Sequence, residues 1–205
     1  MNLCAGSGYL LSMMLSVTDP GVGVVAEEVD AGLVEQVVAG DPAALAALYG
    51  RHGQALFAYL ATLLGDRAAA EEALQDTLLA VWRGAAGFQG RSRVSTWLFG
   101  IARRQALGRL RGRRVEVVDD AALVGVAEPA PGPEEQTLAR LRGEEVAAGL
   151  ARLSPVLREV LVLSLWHGLT QPELAEVLDV PAGTVKSRLS NARKALRRML
   201  EEDRA

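Results

Sequence analysis

From Pro42 onward, apolar residues recur at three- and four-residue intervals, the period of a helix with one buried face. Leu45, Leu48, Leu56, Tyr59, Leu60 and Leu63 fall on one such stripe. Asp41 precedes it as an N-cap, with proline in the first turn, and Gly65-Asp66 breaks it. A second stretch, about 68–83, gathers Ala73, Leu74, Thr77, Leu78, Val81 and Trp82 inside and leaves Glu71, Glu72, Gln75 and Asp76 outside. Gly84 to Ser92 contains three glycines and reads as a loop. Ser95-Thr96 then caps a third helix from about Trp97 to Arg111, ~22 Å long at ~1.5 Å per residue.

A second helical block follows further on, with breaks at Ser154-Pro155, Gly168 and Pro181. Ser154 reads as an N-cap, and Thr170-Gln-Pro-Glu173 has the form of a capping box. The helix it opens, Leu174 to Leu178, is short. The break Asp179-Val-Pro181 separates it from a longer helix whose inward stripe is Val185, Leu189, Ala192 and Leu196. Lys186, Ser187, Asn191, Arg193 and Lys194 lie off that stripe. A short helix, a tight turn and a basic amphipathic second helix describe a helix-turn-helix.

Between the blocks, residues 115–135 hold three prolines and a surplus of acid, the composition of a semi-extended linker. Its contour reaches ~65 Å at ~3.3 Å per residue. The predicted fold is therefore all-α: two small helical domains, 30–114 and 136–200, joined by the linker 115–135. Residues 1–29 read as a disordered extension, or as a start placed too early, with true initiation at Met13 or Met14. Tyr9 to Val17 weakly resembles a signal-peptide core, yet no Lys or Arg precedes Arg51 and the apolar run is far short of a membrane span. The single cysteine, Cys4, excludes an internal disulfide and fits a reducing cytosol.

Charge changes the picture. The net charge is −3 over 205 residues, but its distribution is segregated. Residues 1–30 carry four acids and no base, and residues 115–145 carry eight acids and two bases. From Arg83 to Arg114 there are nine arginines and no acid. Within that run, Phe88-Gln-Gly-Arg-Ser-Arg-Val-Ser-Thr-Trp97 alternates arginines with aromatics and small hydroxyls. Arginines supply phosphate affinity, aromatics supply stacking faces for unpaired bases, and hydroxyls supply short hydrogen bonds. That mixture suits strands of DNA after they separate. The second long helix adds six Lys or Arg and no acid from Thr184 to Arg198, with side chains able to reach major-groove edges. The alternative for this helix is a solvated basic face on an ordinary bundle.

Taken together, these residues resemble the extracytoplasmic-function sigma factors, small promoter-recognition subunits of bacterial RNA polymerase. Leu169 to Arg193 looks like the helix-turn-helix of their C-terminal domain. Glu71-Glu-Ala-Leu-Gln-Asp-Thr-Leu-Leu-Ala-Val-Trp82 resembles their polymerase-binding helix. Ser95-Thr-Trp-Leu-Phe-Gly-Ile-Ala-Arg103 is similar to the stretch that opens and holds the minus-ten element. The resemblance covers about 30–200 in the family's order. It implies that Glu72, Gln75 and Asp76 dock on the clamp of the polymerase beta-prime subunit. It implies that Phe88, Arg91, Ser92 and Ser95 receive a flipped base of the non-template strand, with Arg103 and Arg104 on nearby phosphates. Trp97 is either a stacking partner for a base or a core anchor. Thr184, Lys186, Ser187, Arg188, Asn191 and Arg193 are implied in minus-35 binding. The resemblance also implies a cytoplasmic chain that an anti-sigma partner can hold at the inner membrane face, and that is itself not a membrane protein. In four places the chain departs from the family's habit: Arg104 for asparagine, Leu78 for phenylalanine, Asn191 for a basic residue and Asp179 for glycine.

No enzyme reading gathers support. His52 and His167 are 115 positions apart with no ligand spacing around them, and both read as surface or packing residues. No phosphate-cradling glycine loop, nucleophile elbow or metal cluster is present, so no cofactor is expected. The competing reading is an autonomous helix-turn-helix regulator whose N-terminal block senses a ligand or dimerises.

Overall fold

The computed structural model describes residues 20–116 and 149–202, and every regular element among them is helical. They fall into two compact units. The first holds α1 (Pro20–Val38), α2 (Pro42–Leu64), α3 (Arg67–Gly84), a 3-10 turn (Ala85–Gly87) and α4 (Val94–Glu116). The second is built on α5 (Pro155–Leu165) and α7 (Ala182–Glu202), with the opening turn of α6 (Gln171–Leu178). Cys4, the leader to residue 19 and the linker from 117 lie outside the described residues.

In the first unit α3 and α4 both pack on α2 and on each other, and α1 lies against α2 and α4. The stripe expected on α2 forms its core: Leu48, Leu56, Tyr59 and Leu60 are buried, with Leu45 and Leu63 at the margin. Tyr59 meets Phe99 of α4 edge to face, ring centroids 5.4 Å apart. Such a pair contributes about 0.5–1.5 kcal/mol beyond its buried area. The Asp41 side chain accepts from the Ala43 N–H at 2.8 Å, as its N-cap reading requires. Gly65 closes α2 at φ 66, a conformation that favours glycine, and its N–H returns to the Ala61 carbonyl. Asp66 at once caps α3, accepting from the Ala68 and Ala69 N–H groups.

Three features differ from expectation. Residues 20–29, read as part of an extension, belong to α1. This helix is anchored because buried Asp30 takes an ion pair from Arg51 and a 2.8 Å hydrogen bond with His52. Trp82, expected inside, is 37% exposed. The buried face of α3 centres on Ala70, Ala73, Leu74, Thr77 and Val81, and one residue beyond Val81 is a ~100° turn away from it. Finally, α4 starts at Val94 rather than Trp97 and runs to Glu116, so Ser95 and Thr96 lie inside its first turn.

In the second unit, Val160, Leu161, Val162 and Leu163 of α5 are buried, and α5 packs on α7. The inward stripe of α7, Val185, Leu189, Ala192 and Leu196, is buried as its period requires. Arg158 reaches back to the carbonyls of Leu150, Ala151 and Leu153, satisfying acceptors at the end of the preceding helical turn. Ser154 occupies the N-cap of α5 without a side-chain hydrogen bond, and its carbonyl accepts from Leu157 and Arg158. Glu173 returns to the Thr170 N–H at 2.7 Å, one arm of the capping box.

The chain leaves α5 through His167 and Gly168. Gly168, at φ 63, turns it so that the Leu169 N–H reaches the Leu163 carbonyl. His167 is half-buried, with both ring nitrogens out of reach of solvent. Burial pushes its pKa down to about 4 from the ordinary 6.5. The folded state therefore refuses a proton that the unfolded chain accepts between these values. Its contribution to stability is complete above pH 6.5 and is lost as pH falls toward 4. Thermal melts from pH 7.5 to 4 are expected to fall more steeply for the wild type than for His167→Gln, by no more than about 3 kcal/mol.

Candidate nucleic-acid interface

In the first unit, the loop 88–93 and the first turns of α4 carry the predicted melted-strand residues. Phe88 leaves the 3-10 turn with its N–H on the Ala85 carbonyl, which fixes where the loop begins. Its ring packs against Trp97, centroids 5.0 Å apart and planes tilted by 44°. Both rings are half-buried, so each anchors the loop to α4 and keeps one side toward solvent. Arg91 is exposed, and Ser92 and Ser95 are half-buried. Gly90, at φ 64, supplies the turn between Phe88 and Arg91. Val94, Leu98, Phe99, Ile101 and Ala102 are buried, which turns Arg104 outward and leaves Arg103 half-exposed. The loop and the outer face of α4 thus form one surface combining arginines, two hydroxyls and an aromatic pair.

On α3, Glu72 and Gln75 are exposed and Asp76 is half-exposed. Two of the three are not independent. Arg109 of α4 donates to Glu72 at 2.6 Å and also to Asp76. The hydrogen bond with Asp76, and then that with Glu72, holds the Arg109 pKa above its ordinary value despite partial burial. Along the same side of α3, Leu79 is 52% exposed and joins Trp82 in an apolar extension of the acidic patch. Sequence periodicity had placed Trp82 inside and did not single out Leu79. The signal available was the row Gln75, Leu79, Trp82 at spacings of four and three, which share one helix side.

On α7, Lys186, Ser187, Asn191 and Arg193 are exposed, while Thr184 and Arg188 are half-buried. Ser187 donates to the Thr184 carbonyl at 2.9 Å within its own helix. Asp179 adopts φ 52 in the turn that leads into α7. Aspartate tolerates that conformation, so the turn keeps its form without glycine. The Thr184 and Val185 N–H groups both bond the Pro181 carbonyl, which starts the helix directly after the turn.

Comparison with known proteins decides between the sequence readings. The sigma-70 region 2 family model matches residues 48–115, and that for sigma-70 region 4 matches 143–196. RNA polymerase sigma factor CnrH of Cupriavidus metallidurans is 34% identical over 185 residues, covering 86% of this chain and 97% of the relative. The chain belongs to the extracytoplasmic-function sigma factors. SigL of Mycobacterium tuberculosis, named as such a factor, is also 34% identical, over 82% of this chain and 96% of its own. Among solved structures, CnrH in complex with the cytosolic domain of CnrY aligns at TM-score 0.63, with 28% identity, over 85% of this chain and 99% of that one. RpoE in complex with the anti-sigma factor NepR, from Bartonella quintana, aligns at 0.57 with 27% identity, over 72% and 90% of the two chains. In this sigma factor, the family models cover the arginine surface of α4 and the basic face of α7. The whole of α1 precedes them.

The Arg109 fork makes a measurable prediction. Because both carboxylates are exposed to water, removing it with Arg109→Ala is expected to cost only about 0.2–1 kcal/mol. The cost should shrink in 0.5–1 M salt, where the Debye length falls toward ~3 Å. Thermal melts at low and high salt check both statements.

Proposed function

We propose that this sigma factor directs RNA polymerase core to promoters by using its two basic surfaces on different DNA elements. The observation that carries this is the pairing of two basic segments, Arg83–Arg114 and Thr184–Arg198, each without an acidic residue of its own and with unlike chemistry. One mixes arginines, hydroxyls and aromatics beside a loop, which suits unpaired strands. The other is a helix that is basic from Lys186 to Arg198 and follows a tight turn, which suits the major groove of a duplex.

Within this reading, residues 30–114 act as the core-binding and minus-ten domain, 115–135 as the linker and 136–200 as the minus-35 domain. Glu72, Gln75 and Asp76 dock on the beta-prime clamp, with Leu79 and Trp82 adding apolar area. Phe88, Arg91, Ser92 and Ser95 receive a flipped base. Extrusion costs a few kcal/mol, and stacking at ~1–3 kcal/mol per base offsets most of it. Trp97, packed against Phe88, supports that ring. Arg103 and Arg104 hold phosphates by the fork. On α7, Thr184, Lys186, Ser187, Arg188, Asn191 and Arg193 contact the minus-35 duplex through bases and backbone.

The chain performs no chemistry of its own; the polymerase catalyses RNA synthesis. It works in the cytoplasm on the nucleoid, and an anti-sigma factor holds it inactive, as the complexed state of its structural relatives supports. No helix among the described residues is long and apolar enough to cross a membrane.

Run-off transcription on a panel of genomic promoters tests the reading, with core polymerase alone and with core plus this protein. Transcripts that need both, with weak gel shifts by the free protein, are expected. Tight duplex binding by the protein alone, without transcripts, would leave the autonomous regulator instead. On a responsive promoter, Lys186→Ala with Arg193→Ala should lower transcript yield at least several-fold. If each contacts a phosphate, the salt slope of promoter binding should fall by roughly one per residue.

A further inference from the structure

We infer that Glu27 on α1 is a positioning residue for promoter opening, acting as the cap that α4 lacks in its own sequence. The inference rests on the sigma-factor reading and extends it to a helix lying wholly ahead of both family-matched segments.

The first N–H groups of a helix have no partner within it, and a buried one left unsatisfied costs free energy. Val94, the first residue of α4, is fully buried, so bulk water cannot serve its N–H. The Ser95 and Thr96 hydroxyls lie past the cap position, inside the first turn. The partner comes from 67 residues earlier: the Val94 N–H donates to Glu27 Oε1 at 2.6 Å. A carboxylate there also answers the positive end of the helix dipole.

Three further contacts hold the turn of α1 that carries Glu27. Arg51 and His52 of α2 both hold Asp30, one turn along α1, and Arg51 also donates to the Ala26 carbonyl at 3.2 Å. Glu27, Asp30, Arg51, His52, Arg93 and Ser95 line one surface hollow, so this junction opens directly beside the loop 88–93. Arg91 and Ser92 precede Val94 by three and two residues, and Ser95 follows it. Whatever fixes the Val94 backbone therefore fixes the point from which these side chains project. Holding them before DNA arrives leaves less ordering to be done when a base is captured.

The test uses the full chain with core polymerase and two variants, Glu27→Ala and Glu27→Gln. Each is assayed on a duplex promoter and on the same promoter with its minus-ten region pre-melted by mismatches. Glu27→Ala is expected to lower open-complex formation on the duplex about fivefold to tenfold, equivalent to ~1 to 1.4 kcal/mol, with less than about twofold loss on the pre-melted template. Glu27→Gln keeps an acceptor oxygen and should fall between Ala and wild type. Core affinity, measured separately, should be unchanged. Equal losses on both templates that track a lower Tm or weaker core binding would overturn the inference and leave Glu27 merely structural. Glu27→Ala matching a working wild type would overturn it alone. A wild type that supports transcription from neither template would overturn the sigma-factor reading as well.

Discussion

Edge-to-face packing of Tyr59 against Phe99 fixes the arginine-bearing helix of the first unit to α2, and the rest of that unit depends on it. A helix that displays several arginines on one side repels itself along that side. It remains ordered because its other side, Val94, Leu98, Phe99, Ile101, Ala102 and Ala106, is buried. Non-directional apolar burial supplies the stability and turns the arginines toward the outer face. The basic helix α7 uses the same division, with Val185, Leu189, Ala192 and Leu196 inside and its cations out.

Polar contacts in the first unit do different work. They add little energy each, but they join segments far apart in the chain. Arg109 ties Glu72 and Asp76 of α3 to α4 across 37 and 33 residues. Asp30 ties α1 to α2 through Arg51 and His52. Glu27 ties α1 to the start of α4. Through these contacts the proposed polymerase-facing acids and the loop proposed to receive a base are both mounted on α4. A disturbance of that helix would reach both surfaces, which is why mutations there need separate readouts for core affinity and strand opening.

The helices of this chain were legible to different degrees, for identifiable reasons. α2 and α3 were bounded well because Asp41, Gly65 and Asp66 act locally, each within a few residues of the group it satisfies. The stripe of α7 was equally plain, since its inner positions are apolar and its outer ones basic. Trp82 was misplaced because hydrophobicity alone does not say which large residue lies beyond the edge of the buried arc. The first turns of α1, residues 20–29, were missed because their hold comes through Ala26, Glu27 and distant partners, whereas the buried Val34 and Val37 fall within the expected domain.

The sequence by itself determined the all-α class, the two basic surfaces and the family. Those depend on residue type and short-range spacing, and helix geometry converts both directly into faces. Only the tertiary structure decided that Glu72 and Asp76 share one arginine, that Phe88 leans on Trp97, and that the N-terminus of α4 is completed by α1. Each of these joins groups whose approach is set by how helices pack, and packing depends on side chains that are not neighbours in the chain.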